Sequence, residues 1–141
     1  MEIRKFQPED LEMVMEITKA SFTKPWPKSE FKKYLEDSFV AEENGKILGF
    51  VVSASSENMG IIKLIATNPN YRDKGIGKSL MKHILKHFAE KGLKETAARC
   101  RLDNKTGFAF LKNFGFEVTK TIENYYQDGE AAFLMKKELD G

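Results

Sequence analysis

The spacing of apolar residues along the chain alternates between two periods, and each change predicts an element. Residues 2–6, "EIRKF", read as a first strand. In "PEDLEMVMEITKASF", residues 8–22, Leu11, Val14, Met15, Ile17 and Phe22 recur at helical spacing behind Pro8, a residue suited to a helix start. "TKPWPK" breaks that helix, and "SEFKKYLED" predicts a second, short one over residues 29–37 with Ser29 as N-cap. "SFVAEENGKILGFVVSAS", residues 38–55, reads as a hairpin, two apolar runs folded about Asn44-Gly45.

"GIIKLIAT", residues 60–67, is a short apolar run rich in β-branched residues, the signature of a buried strand. After the basic turn "NPNYRDKG" comes a long helix. Leu80, Met81, Ile84, Leu85 and Phe88 share one arc, with Lys78, Lys82, Lys86 and His87 opposite. "KETAARC" predicts a strand over 94–100, and "NKTGFAFLKNF" a helix over 104–114 closed by Gly115. Two last strands, 116–126 and 130–139, meet across Gln127-Asp128-Gly129. The order β-α-α-β-β-β-α-β-α-β-β defines an α/β (α+β) chain, a mixed sheet with helices on its faces.

The turn before the long helix carries the first chemical signal. A Walker-type loop would need glycine where Arg72 stands, and a dinucleotide fingerprint would need one where Leu80 stands. What remains is Arg72-x-x-Gly75-x-Gly77. The first turn of a helix has unpaired N–H groups and partial positive charge, and glycines let an anion approach them closely. Arg72, Lys74 and Lys78 add positive charge to the same turn, so strand, basic glycine turn and helix read either as an anion site at the carboxyl end of a strand or as a helix start after Pro69 with a solvated basic cap.

Composition narrows the setting. The 141 residues suit one domain, 41% hydrophobic and 31% charged. A net charge of +2 is too balanced to indicate nucleic acid. The single cysteine, Cys100, excludes an internal disulfide framework and fits a reducing compartment. No apolar run has the length of a membrane span, and "MEIRKFQPED" does not read as a signal peptide; a cytoplasmic protein is expected.

At this point the element order and the glycine turn together resemble the GCN5-related N-acetyltransferase (GNAT) superfamily over nearly the whole chain. "IATNPNYRDKGIGKSLM" resembles its pyrophosphate-binding motif for acetyl-coenzyme A. "NKTGFAFLKNFGF" resembles its later helix, where an asparagine meets the cofactor arm. "SFTKPWPKSEF" and "IENYYQDGEAAFLM" resemble the protein N-terminal acetyltransferases, particularly the ribosomal-protein alanine acetyltransferase branch. The resemblance implies a single N-acetyltransferase domain over 1–141, with a mostly antiparallel sheet of about seven strands and about four helices. It implies acetyl-coenzyme A as co-substrate, no metal, and a protein N-terminus or other amine as acceptor. It places Ile65, Ala66 and Thr67 against the pantetheine, where adjacent strands splay. Arg72, Asp73, Lys74, Gly75, Ile76, Gly77 and Lys78 fall at the pyrophosphate, and Asn104 at the pantetheine arm. Tyr125, Tyr126 and the loop around Trp26 line the acceptor groove.

Two positions depart from the alanine-acetyltransferase pattern. Arg99 stands where that branch carries a general-base glutamate, and Leu111 where it carries a thiolate-protonating tyrosine. Neither can take the role: arginine keeps its proton, and leucine has none. The consequence depends on the acceptor. An α-amine is roughly a tenth neutral at pH 7, a cost of about 1.4 kcal/mol; a lysine amine is neutral about once in a few thousand molecules, a cost of roughly 4 to 5. A site without a strong base therefore serves an N-terminus more readily, with proximity and oxyanion donors lowering the rest of the barrier. Tyr125 and Tyr126 are the replacement catalytic candidates, with Glu123 on the face of Tyr125 if the strand is regular.

Other residues read as structural. His83 and His87 sit four apart on the polar arc, without a third metal ligand. Cys100 reads as a small strand residue, and Phe108, Phe110, Phe114 and Phe116 as core. Trp26 is either an anchor for its loop or a substrate contact. The chain is thus expected to be an acetyltransferase for a protein N-terminus, as monomer or homodimer. The alternatives are transfer to lysine, polyamine or a small amine, and a coenzyme A-binding module with weakened catalysis. No nucleic acid or membrane partner is expected.

Overall fold

A computed structural model describes residues 1–21, 26–72 and 74–139. β1 (Glu2–Lys5) leads through a 3₁₀ turn into α1 (Leu11–Ser21), followed by α2 (Lys28–Lys32), β2 (Phe39–Glu43), β3 (Lys46–Ser55) and β4 (Met59–Thr67). Then come α3 (Ile76–Glu90), β5 (Glu95–Arg101), α4 (Lys105–Asn113), β6 (Glu117–Ile122) and β7 (Ala132–Glu138). This is the element order read from the sequence. The strands form one sheet in the order β1-β2-β3-β4-β5-β7-β6, antiparallel except for the β4–β5 pair. That parallel pair needs a crossover, and α3 supplies it.

Each face of the sheet buries its own core. Leu80, Met81, Ile84 and Phe88 of α3 pack with Ile62, Ala98, Cys100, Leu111 and Phe116 on one face. Leu11, Val14 and Ile17 of α1 and Phe31 of α2 pack with Val40, Phe50 and Val52 on the other. The turn at Asn44 and Gly45 has positive φ at both residues (52° and 80°), as a two-residue hairpin requires. Gly60 is fixed by packing, since a β-carbon there would lie 2.4 Å from the Phe88 ring.

The structure corrects several sequence expectations. The short helix ends at Lys32, and its N-cap is Pro27 instead of Ser29. α3 starts at Ile76 directly after the turn ending at Gly75, as read from the sequence, and so carries Gly77 in its first turn. β6 ends at Ile122, and Asn124 takes φ 51°, so Tyr125 and Tyr126 stand in the β6–β7 turn and not on a strand. The regular strand needed to align Glu123 with Tyr125 is therefore absent. His83 and His87 are not a solvated pair. Both rings pack edge-on against Phe39, at 4.5 and 5.0 Å, and His87 Nε2 lies 2.9 Å from Asp37 Oδ1. Phe22 and Asp73 lie outside the described residues.

Candidate active site

The parallel ladder between β4 and β5 is short. It pairs Met59–Ile62 with Glu95–Ala98 and stops. Beyond it, Ile65, Ala66 and Thr67 pair with Val51, Phe50 and Gly49 of β3, while β5 turns to β7. The two central strands therefore diverge, and the β5-facing edge of residues 63–67 carries backbone groups outside any ladder. A sheet interior rarely leaves such groups without a partner, so the wedge suits an extended polar ligand.

A bulge sits where the divergence begins. Val52 pairs with Leu64 and Ser53 with Ile62, leaving Lys63 as the extra residue. Ile62 belongs to the α3 core, whereas Leu64 packs on the α1 side. Lys63 consequently joins Leu64 on the α1–α2 face, its Nζ 5.5 Å from the centre of the Tyr34 ring. Burial lowers the Lys63 amine below its ordinary value, and the Arg99 charge lowers it further.

At the far end of β4 the chain turns through Asn68, whose side chain accepts from Asn70 N–H at 3.0 Å, and reaches Gly75 at φ 77°. Only glycine takes that conformation freely. The first bond of the α3 ladder runs from Ser79 N–H to Gly75 O, so the N–H groups of Ile76, Gly77 and Lys78 precede it. Arg72, Lys74 and Lys78 are exposed around this turn. A β-carbon at Gly77 would lie 3.6 Å from Thr67 Oγ1 and 3.7 Å from the Phe110 ring. The bare helix entrance, the end of β4 and α4 therefore meet at one point. These residues fit a nucleotide's linked phosphates at the helix entrance and an attached chain along β4. Asn104 caps α4 instead of pointing freely: its Oδ1 accepts from Gly107 N–H at 2.9 Å, leaving its amide N–H₂ as the outward donor.

On the other side of the wedge, β5 presents Ala98 and Cys100 to the α3 core, and Arg99 and Arg101 to the opposite face. Arg101 is held by Asp128 at 2.6 Å and Asp103 at 3.3 Å, and lies 4.6 Å from the Tyr126 ring. Arg99 lies 5.5 Å from the Tyr125 ring. The two tyrosines pack edge to face at 4.9 Å. Burial first, and then Tyr125, push the Tyr126 phenol up to about 12. Trp26 is half-buried against Phe31 (5.4 Å) and Tyr34 (5.8 Å), so it braces the groove wall that carries Lys63. Burial raises the Cys100 thiol, which gives it the inert character of a core residue. Among the described residues no group of side chains could hold a metal ion.

Sequence pattern alone does not single out Lys63 or Tyr34. A lysine inside the apolar run "GIIKLIAT" was the available signal, and nothing in the run marks the bulge that turns it.

A splayed β4–β5 pair beside a glycine-opened helix start defines a class of fold suited to an extended polar ligand that carries phosphates. The chain belongs to the GNAT acetyltransferase family, whose model matches residues 11–116. It is 27% identical to an N-alpha-acetyltransferase of Sulfurisphaera tokodaii, over 97% of this chain and 92% of that one. It is 26% identical to the [ribosomal protein bS18]-alanine N-acetyltransferase of Escherichia coli, over 94% of each. The crystal structure of Ard1 from Thermoplasma volcanium superposes with a TM-score of 0.93 at 28% identity, covering 99% of this chain and 98% of that one. The seven-stranded mixed sheet with four helices is the fold of that neighbour.

Proposed function

We propose that this acetyltransferase moves the acetyl group of acetyl-coenzyme A to the N-terminal α-amine of a protein in the cytoplasm. The observation that carries the acceptor choice is the charge at the wedge mouth. Lys63 and Arg99 flank it, and among the described residues neither is paired with a carboxylate. Two unpaired cations repel polyamines and lysine side chains, which bring positive charge, and offer no base to deprotonate them. An α-amine needs less help, since a sizeable share is neutral near pH 7. The names of the relatives support the same acceptor class.

In this reading the α3 entrance, with Arg72, Asp73, Lys74, Gly75, Ile76, Gly77 and Lys78, holds the pyrophosphate, and Asn104 donates to the pantetheine arm. The edge of Ile65, Ala66 and Thr67 aligns the arm so that the thioester carbonyl meets backbone N–H groups, which stabilise the developing oxyanion. Tyr125, Tyr126 and Trp26 with Tyr34 shape the acceptor groove. Tyr126 keeps its proton across the physiological range. Burial makes the Tyr126 phenol a weaker proton donor to a thiolate than an ordinary tyrosine, so in this reading it orients by hydrogen bonding.

The test is incubation with acetyl-coenzyme A and peptides beginning with Ala, Ser or Met, beside N-blocked peptides containing lysine, and spermidine. Thiol release with free N-termini alone is expected. Release with lysine or spermidine would overturn the acceptor assignment. Tight coenzyme A binding without any release would make the chain a binding module.

A further inference from the structure

Resting on that acceptor assignment, the geometry points to a preference for N-termini that carry an acidic side chain in their first residues, recognised jointly by Lys63 and Arg99. The ladder pairs Ile61 with Ala97 and Ile62 with Ala98, so Lys63 and Arg99 are the next positions in register, just where pairing stops. They stand on opposite lips of the wedge, and both lie on the α1–α2 face. Lys63 is turned there by the bulge, and Arg99 by strand alternation against Ala98 and Cys100. Each lies beside an aromatic ring of the groove wall, Lys63 beside Tyr34 and Arg99 beside Tyr125.

The nearby carboxylates are already engaged. Glu30 binds Lys33 at 2.5 Å, and Asp103 and Asp128 bind Arg101. Neither cation forms an ion pair among the described residues; Glu30, held by Lys33, raises the Lys63 amine by less than burial and the Arg99 charge lower it. Lys63 loses hydration by partial burial and also feels the Arg99 charge, a cost that an incoming carboxylate would offset. A carboxylate between them gains two charge-assisted contacts, while a lysine in the same place meets two like charges.

The experiment compares kcat/KM for short peptides identical except at the second position, which carries glutamate, glutamine or lysine. A further peptide carries glutamine at the second position and a glutamate placed several residues further on. The wild-type protein is expected to favour the second-position glutamate over glutamine by about tenfold, and glutamine over lysine by a similar factor. The distant glutamate should give no such gain, which separates local recognition from general attraction by a cationic protein. Lys63→Met and Arg99→Gln should each shrink the glutamate-to-glutamine ratio, and Lys63→Glu with Arg99→Glu should turn the preference towards the lysine peptide. Equal turnover of the glutamate and glutamine peptides by the wild type, or a ratio unmoved by these substitutions, would overturn the proposal while leaving N-terminal transfer intact. Thiol release from no peptide at all would instead remove the acceptor assignment beneath it.

Discussion

Single residues decide the chemistry here more than any motif does. In the reading proposed above, Arg99 is a permanent cation where the resemblance implies a base, and Tyr126, its phenol pushed up by burial, serves position more than proton transfer. Tyr126→Phe is accordingly expected to lower kcat less than tenfold, measured by thiol release at saturating acetyl-coenzyme A; a fall of a thousandfold would make the phenol a proton carrier. Two glycines illustrate different constraints. At Gly75 the backbone conformation is demanding but the space is open, so Gly75→Ala should cost about 1 kcal/mol of stability. At Gly60 the Phe88 ring fills the space, and Gly60→Ala should cost roughly 2 to 3 kcal/mol. Urea denaturation of both variants checks the order of the two losses.

At the scale of elements, α3 is tied to the rest by more than its apolar arc. Asp37, in the 3₁₀ turn after α2, accepts from Lys91 at 2.8 Å and from Ser55 at 2.9 Å, and pairs with His87 at 2.9 Å. Burial pushes this carboxyl up, but Lys91, His87 and Ser55 together outweigh it and leave it below its ordinary 3.8. Asp10 behaves alike: burial raises it, and Arg4, bonded to both oxygens at 2.8 and 2.9 Å, brings it below 3.8. A carboxyl lowered by folding contributes stability that is fully present above its unfolded value and fades as pH falls through the folded one. Unfolding on acidification is therefore expected to set in below about pH 4. Asp37→Asn should lower stability at pH 7 by about 1 to 3 kcal/mol and flatten that acid limb, which thermal denaturation at pH 7 and pH 3 would show.

The elements themselves were legible because their periods are clean, as with the buried arc of α3 and the Asn44-Gly45 turn. What escaped was set by tertiary partners. His83 and His87 occupy the polar arc of an isolated helix, yet Phe39 from β2 covers them. The end of β6 depended on a positive φ at Asn124, which its residue type permits but does not dictate. The basic glycine turn before α3 could be read because glycines and lysines are written side by side, whereas the lips of the wedge come from strands distant in sequence.

On the scale of the whole molecule, the sheet is two unequal panels, β1–β4 and β5–β7–β6, each with strong antiparallel pairing inside it. Their direct backbone link runs over Met59–Ile62 opposite Glu95–Ala98 and is extended at its closed end by Asn58 O, which accepts from Lys94 and Glu95 N–H, with α3 as the covalent and packing bridge. Such a join behaves like a zip that is open from one end. A thioester lying in the opening would clip both tapes together by bonding to the bared edge, so loading should tighten the molecule along its midline more than at its rims. Amide exchange at Ile61, Ile62, Ala97 and Ala98 is expected to slow several-fold when coenzyme A is added, while Val118 on the outer strand keeps its rate. The release of spent coenzyme A would then be paced by how readily that zip loosens, which couples the turnover of the catalyst to the breathing of its own backbone.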